Sequence, residues 1–333
     1  MSNYITNARI KQAIRLKNAR QYDTLIEKET IIMTESLYAL FKRNFPYVRR
    51  EEETARDILS NPENQLFFHK DNAGNLVGAA VVHKNTLLLL CVDAPFRNTG
   101  VGSKLLAEAE TYVKSKGYKT ITIGVGDNYL CPGVPVKEIP FEEEISNIAL
   151  HPQLPENNAS YFIKRGYRHA WNDCNCFDMH MPFTPELLSI HPPETPGIEY
   201  RFANQSDLPS ILDCTNAAEK EFSKYYEESE SYAPDSHDKV LIALDGDRVV
   251  GTLMVDQEAE GEGIGSIGCT TVHPAYQGRK IASSMIIRGA KHLYKSGMKE
   301  GFLGYTYSGL DKLYGKAGYK VCAFYFMAEK SLS

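Results

Sequence analysis

Two glycine-bearing turns carry the residue types that hold an anion. The first is Val92-Asp-Ala-Pro-Phe-Arg-Asn-Thr-Gly-Val-Gly102, and the second is Val272-His-Pro-Ala-Tyr-Gln-Gly-Arg-Lys-Ile-Ala282. Each follows an apolar run and opens an amphipathic stretch. Glycine at 100 and 102 lets successive backbone N–H groups converge with no Cβ in the way. The helix behind adds the partial positive charge of its N-terminus. Together they make a nest for a pyrophosphate. No Gly-Lys-Ser/Thr follows at Walker spacing, and the third glycine and ribose acid of a dinucleotide fingerprint are missing. One such turn could be a ligand-free strand-to-helix connection. A second copy argues against that.

A second element is also repeated. Asn158-Ala-Ser-Tyr-Phe-Ile-Lys-Arg-Gly-Tyr167 matches Leu310-Asp-Lys-Leu-Tyr-Gly-Lys-Ala-Gly-Tyr319. Both read as short helices stopped by glycine and followed by a strand. Two ordered repeats point to duplication. Between its turn and this element the first half is longer by about 28 residues, which fall at 126–157.

The elements that position these motifs follow from periodicity. In the first half, Ile10–Leu16 predicts a strand, and Tyr22–Phe41 and Glu51–Leu59 predict helices. Gln65–Lys70, Leu76–His83 and Thr86–Val92 predict strands, the first two joined by Asp71-Asn-Ala-Gly-Asn75. Gly102–Lys116 has helical spacing, and Thr120–Val125 is a further strand. The second half repeats the order: Ile198–Arg201, a helix from Ser206, a hairpin of Val240–Leu244 and Arg248–Val255, then Ile264–Val272. The helix Ile281–Ser296, the strand Phe302–Tyr305, the helix Leu310–Ala317 and a last strand Lys320–Met327 complete it. The predicted fold class is α/β (α+β), two lobes each with a mixed, largely antiparallel twisted sheet flanked by helices. Met181–Gly197 holds five prolines and reads as a linker. The expected division is 1–183, a Pro-rich linker 184–197, and 198–333.

At 333 residues the chain is long enough for two cores. A net charge of −5 argues against nucleic acid as partner. No apolar run approaches membrane length, and the N-terminal stretch lacks the apolar segment of a signal peptide. The seven cysteines are scattered, with Cys174-Asn-Cys176 the only close pair. Reduced thiols, a cytoplasmic setting and no metal site are expected. Oligomeric state is not legible.

The ordered motifs resemble the GNAT superfamily of N-acetyltransferases, in tandem, over roughly Ile10–Phe183 and Ile198–Met327. The resemblance implies acetyl-CoA as cofactor and direct acetyl transfer to a primary amine of a small molecule. It implies that Arg97, Asn98, Thr99, Gly100, Val101 and Gly102 wrap the pyrophosphate in lobe one. In lobe two Gln277, Gly278, Arg279, Lys280, Ile281 and Ala282 would do so. The strand ends Cys91–Val92 and Thr271–Val272 would meet the pantetheine arm, and a backbone N–H there would polarise the thioester carbonyl. Tyr314 stands where the family often has a tyrosine that protonates the departing sulfur, and a phenol is protonated at neutral pH.

The lobes depart from that pattern in opposite ways. Lobe one has Phe162 in place of the tyrosine, with Tyr161 about 100° round a helix from it. Lobe two has Lys280 where the family usually has glycine, which fits if φ stays negative. A lobe without the donor could instead bind the cofactor, or hold the acceptor, without catalysing. For the acceptor, Asp256 is the candidate among the acidic residues Asp256, Glu258, Glu260 and Glu262. In lobe one Tyr129, Pro132 and Gly133 would line a pocket or form a rigid cover. Cys131 reads as lining or packing, and His273 as a turn residue.

Overall fold

The computed structural model describes residues 31–124, 129–138, 144–156, 158–170, 176–233, 235–307 and 309–332. The strand expected at Ile10–Leu16 lies outside the described residues. Residues 31–44 are helical (α1), followed by α2 (Glu52–Ser60) and the strands β1 (Asn64–Lys70), β2 (Leu76–His83) and β3 (Thr86–Val92). After the first glycine turn come α3 (Val101–Ser115), β4 (Thr120–Ile123), β5 (Val134–Val136), α4 (Asn158–Ile163), β6 (Arg168–His169) and β7 (Cys176–Pro182). The second half runs β8 (Glu199–Phe202), α5 (Leu208–Ala218), α6 (Ser223–Glu227), β9 (Lys239–Asp245), β10 (Arg248–Asp256) and β11 (Ile264–Val272). It ends with α7 (Ile281–Lys295), β12 (Glu300–Tyr307), α8 (Asp311–Tyr314), β13 (Lys320–Phe326) and β14 (Ala328–Ser331). Among the described residues no helix is long and apolar enough to cross a membrane.

Each lobe is a mixed sheet with helices on both faces, as the alternation of runs predicts. In lobe one Leu37, Leu40 and Phe41 of α1 and Ile58 and Leu59 of α2 cover one face of β2 and β3. Leu105, Leu106, Ala109 and Val113 of α3 cover the other. Burying one such aliphatic or aromatic side chain contributes roughly 1.5–3 kcal/mol, so these stripes fix the helices on the sheet. The Asp71–Asn75 turn forms as expected, with Asp71 Oδ1 accepting the N–H groups of Ala73 and Asn75.

The strands do not stay within their own halves. One sheet has the order β1-β2-β3-β4-β14-β6, and the other β5-β13-β7-β12-β11-β10-β9-β8. β14, from the end of the chain, lies antiparallel between β4 and β6 of lobe one, pairing Ala328 with Ile123 and His169. β7, the last strand of the first half, lies between β12 and β13 of lobe two, pairing Met179 with Leu303 and Val321. β5, from the insertion, pairs with β13 as well. The lobes have therefore exchanged their final strands. The C-terminal strand expected to run to Met327 ends at Phe326 because Met327 is where the chain leaves one sheet for the other.

The exchange fuses the cores. Phe177, Met179 and Met181 of β7 pack in one cluster with residues of α3 and α7. Cys176 of β7 and Tyr325 of β13 pack in another with α1 and α2. Two lobes that share strands and cores should not unfold separately. Calorimetry should give a single heat-absorption peak, and two resolved peaks would contradict the shared core. Truncation before Ala328 should cost lobe one on the order of 3 kcal/mol, the size of a lost paired and buried strand. Hydrogen exchange should then show lost protection in β4, more than 200 residues away in sequence.

Candidate functional site

The lobe-one turn is braced from below by α1. Asp93 accepts from Arg43 Nη2 and from Asn44 Nδ2, each at 2.8 Å. Arg97 folds back across the turn, donating through Nε to the Val92 carbonyl at 2.8 Å and through Nη2 to Asn44 Oδ1 at 2.8 Å. Thr99 Oγ1 donates to the Phe96 carbonyl. Gly100, at φ 91°, is the N-cap of α3, and Val101 and Gly102 begin the helix. The helix reaches the sheet this closely because β2 carries Gly78, where a Cβ would stand 3.2 Å from a Val101 methyl. A cavity of about 870 Å³ opens over the turn. Its lining includes Leu90, Cys91, Val92, Arg97, Asn98, Gly100, Gly102 and Ser103, with Tyr161, Phe162 and Arg165 opposite and Tyr47 beside them. Arg165 reaches Ser103 Oγ at 2.9 Å, and its guanidinium stacks on the Tyr161 ring. The Tyr161 hydroxyl is buried and has no hydrogen-bond partner among the described residues, and it lies 3.5 Å from where a Gly102 side chain would begin. The site thus offers bare amides, a cationic side chain and a spare hydroxyl, a set that fits a phosphate-bearing ligand.

The lobe-two turn has the same shape. Gln277 Nε2 donates to the Val272 carbonyl as Arg97 does to Val92. Gly251 on β10 stands for Gly78, with Ile281 and Met285 at 3.0 and 2.9 Å from its absent Cβ. Lys316 Nζ reaches Ser283 Oγ at 3.1 Å, as Arg165 reaches Ser103. Each turn contains two left-handed residues two positions apart: Asn98 and Gly100, then Gly278 and Lys280. Lys280 has φ 66°. The condition of a negative φ is not met, yet the turn still forms, because the lysine caps α7 in the conformation that glycine adopts in lobe one. Arg279 is held from outside, its carbonyl accepting from Thr195 Oγ1 and its Nη2 donating to the Pro196 carbonyl. Ala282 follows Ile281 in the first turn of α7. His273 Nδ1 accepts the Ala275 N–H, so this residue shapes the turn.

In both lobes the strand before the turn parts from its parallel neighbour. β3 pairs with β4 only at Thr86–Thr122, and β11 with β12 only at Ile264–Glu300 and Gly265–Gly301. Each gap opens beside its turn. In lobe two the register between β10 and β11 shifts at Cys269–Thr270, and Cys269 has φ 47°. Thr271 is pinned to Thr252 Oγ1 at 2.6 Å. Tyr314 comes to this bulge, its hydroxyl 3.3 Å from Thr270 Oγ1 and its ring edge-on to Tyr319. Burial raises its pKa. Asp256 ends β10 opposite Ser266 of β11, and its charge helps raise the Cys269 pKa. Desolvation, helped by Asp238, pushes Asp256 up to about 7. In lobe one the register shift sits earlier, opposite Val81 and Val82, so Leu89–Val92 run straight to the turn.

The Tyr129–Pro135 segment is not in the cavity over the turn. A Cβ on Gly124 would collide with the Pro132 backbone, and one on Gly133 would stand 2.8 Å from the Phe326 carbonyl. Pro132 and Gly133 are thus wedged between the lobes. Tyr129 packs on Tyr305 at 5.0 Å between ring centres, under the Arg50 guanidinium. Beneath this cover lies a residue the sequence reading missed, Asp178 on β7. It is 3 % exposed. Its Oδ2 accepts from the Tyr325 hydroxyl at 2.7 Å and its Oδ1 from the Tyr305 N–H at 3.1 Å. Desolvation pushes it up to about 7 against these two hydrogen bonds. The signal was a lone carboxylate in the apolar run Cys176-Phe-Asp-Met.

The sequence model described as the acetyltransferase (GNAT) family matches residues 34–130 and 207–319. No curated protein matches the chain. Among solved structures, a GCN5-related glucosamine N-acetyltransferase region of a fungal multi-domain GH3 beta-N-acetylglucosaminidase is similar over 89% of this chain, with TM-score 0.63 and 17% identity. This chain spans 36% of that protein. A GCN5-related N-acetyltransferase from Sphaerobacter thermophilus gives TM-score 0.61 at 19% identity, covering 89% of this chain and 92% of the other. A tandem GNAT protein from the clavulanic acid biosynthesis pathway gives 0.60 at 13%, covering 90% and 95%. These likenesses are of fold.

The left-handed lysine gives a direct stability test. A non-glycine residue at such a φ costs roughly 1 kcal/mol. Lys280→Gly should therefore stabilise the protein by about 0.5–1 kcal/mol in chemical denaturation, since glycine gives back part of the gain as chain entropy. Destabilisation would mean that the lysine side chain makes a compensating contact.

Proposed function

This chain belongs to the acetyltransferase (GNAT) family and is an acyltransferase, and from that premise we propose that it moves an acetyl group from acetyl-CoA directly to the primary amine of a small molecule. The observation that carries the reading is the Tyr314 hydroxyl, 3.3 Å from Thr270 at the β11 bulge and next to the second turn. A buried donor beside a strand gap, with an anion-binding turn at the gap's end, suits acetyl transfer from a thioester.

Acetyl-CoA would supply the activated acetyl group and a pyrophosphate handle. In lobe two the amides of Gln277–Ala282 and Lys316 would hold the pyrophosphate. In lobe one the amides of Arg97–Gly102, with Arg165 and the Tyr161 hydroxyl, would do so. The freed N–H groups of the strand ends Cys91–Val92 and Thr271–Val272 would receive the pantetheine arm and polarise the carbonyl. Tyr314 stays protonated through neutral pH, because burial raises an already high phenol pKa, and it donates to the departing sulfur. Asp256 would hold the acceptor's ammonium group and, with a pKa about 7, accept its proton.

The test uses Gly100→Glu, which places a carboxylate in the lobe-one turn. Calorimetry with acetyl-CoA should give two sites on the unaltered protein and one on the variant. In that background Tyr314→Phe should lower kcat by about 100-fold with the KM for acetyl-CoA unchanged. Glucosamine leads the acceptor panel because one similar structure carries that substrate in its name. Undiminished kcat in the double variant would remove Tyr314 from the chemistry.

A further inference from the structure

The helix that carries Tyr314 is one turn long. α8 has four residues, and a 3-10 turn over Gly315–Ala317 continues it to the left-handed Gly318. So short a helix does not hold its own shape in water. The place of the Tyr314 hydroxyl therefore depends on what grips the turn from outside. One grip comes from lobe two itself. Lys316 Nζ bonds Ser283 Oγ at 3.1 Å and ties the end of the turn to α7. The other comes from lobe one, through the insertion at 126–157.

Ser146 of the insertion gives both its donors to one oxygen of Asp311. Its backbone N–H reaches Asp311 Oδ2 at 2.8 Å, and its hydroxyl reaches the same atom at 2.6 Å. Asn147 then turns at φ 56°, and its Nδ2 donates to the Asp311 carbonyl at 3.3 Å. On the far side of Tyr314, a Cβ on Gly315 would collide with the same Asn147 amide. The Ser146–Asn147 corner thus touches the residue one helical turn before Tyr314 and the residue just after it. The corner is itself fixed to lobe two's sheet. The Asn147 carbonyl accepts the Val321 N–H, the Ala149 N–H donates to the Val321 carbonyl and the His151 N–H to the Cys322 carbonyl, each at 2.8 Å. Ile145 is buried in the core cluster that holds Tyr314 and Val321.

Two observations set this clasp apart from ordinary packing. Asp311 is 1 % exposed, yet its Oδ1 has no hydrogen-bond partner among the described residues. A buried carboxyl with an idle oxygen costs stability that an apolar side chain of its size would not. The repeat supplies a control. In lobe one the places of Asp311, Tyr314 and Gly315 are held by Ala159, Phe162 and Ile163. The carboxyl and the glycine occur in the lobe that has the phenol, and both are missing from the lobe that lacks it.

We propose that Asp311 is a positioning residue for acetyl transfer in lobe two, held in place by lobe one's insertion through Ser146. The proposal rests on the reading of Tyr314 as proton donor to the departing sulfur. Asp311 is buried and acts only through Tyr314. It sets where the single turn of α8 lies, and so where the phenol hydroxyl stands relative to Thr270 and the β11 bulge. A reacting group displaced by about 1 Å loses on the order of 100-fold in rate.

The experiment measures acetyl-CoA turnover with glucosamine and the amine panel in full-length protein carrying Gly100→Glu, so that lobe two alone is read. Asp311→Ala removes the acceptor of both Ser146 bonds. It should lower kcat by roughly 10- to 100-fold and leave the KM and calorimetric affinity for acetyl-CoA unchanged. Asp311→Asn keeps an oxygen for Ser146 and should recover most of the loss. Ser146→Ala deletes one of the two bonds and should cost less than Asp311→Ala, and Ser146→Thr should restore the rate. The deciding measurement is a double-mutant cycle. With Tyr314→Phe also present, Asp311→Ala should lower kcat by less than about 2-fold, because the hydroxyl it positions is gone. A purely structural aspartate would cost the same factor with and without the hydroxyl. That result overturns the proposal and leaves Tyr314's own role standing, as does an unchanged kcat in Asp311→Ala. If Asp311→Ala fails to fold, the same cycle run with Ser146→Ala decides by the same criterion. A Tyr314→Phe protein as fast as its parent overturns the proton-donor reading, and Asp311's role with it.

Discussion

The reciprocal placement of β7 and β14 is the constraint on which the rest of the structure depends. Backbone hydrogen bonds of each central ladder come partly from the other half of the chain. An unpaired strand edge inside a sheet would leave buried N–H and C=O groups without partners. Neither half can close its sheet without the other. The relative position of the two lobes is therefore set by ladder register and not by a surface contact between finished domains. This is why residues from one half, Tyr305 and Tyr325, can be aimed at hydrogen-bonding distance at Asp178 from the other.

Within that frame each lobe builds its turn by the same local means. A glycine on the hairpin strand, Gly78 or Gly251, admits the helix that follows the turn. A long polar side chain, Arg97 or Gln277, folds back to the strand carbonyl and closes the loop. A cation from the later helix, Arg165 or Lys316, bonds the serine in the helix's first turn. The lobes then diverge in the strand itself. The bulge at Cys269–Thr270 brings lobe two's backbone to Tyr314, while lobe one's straight Leu89–Val92 leaves a roomier cavity with an idle Tyr161 hydroxyl.

Most of the secondary structure and both turns were legible in the sequence because they rest on local signals: apolar periodicity, glycine and proline. β2, β3 and β11 fall at the bounds that their apolar runs predict. The exchange was not legible. Strand pairing is decided by contacts more than 100 residues apart, and two halves with the same order of elements read alike whether or not they trade a strand. The break at Met327 shows the difficulty, since an uninterrupted apolar run crosses from one sheet into another. Asp178 was passed over for the same reason. A single carboxylate in a strand has meaning only once its surroundings are known. Whether Lys280 fits its turn was not legible either, because residue type alone does not decide φ, whereas the helix cap does.

The two turns also show how little of such a site is written in its letters. The left-handed positions fall at the same places in both copies, yet the glycine has moved from the second place in lobe one to the first in lobe two. Asn98 and Lys280 fill the vacated places. Each copy tolerates one side chain at a strained position so long as neighbouring contacts hold the loop. A duplicated gene can thus drift by trading one strained residue for another while the mould it casts around an anion stays the same. Recognition of such sites is better based on the sequence of backbone conformations than on the spacing of glycines.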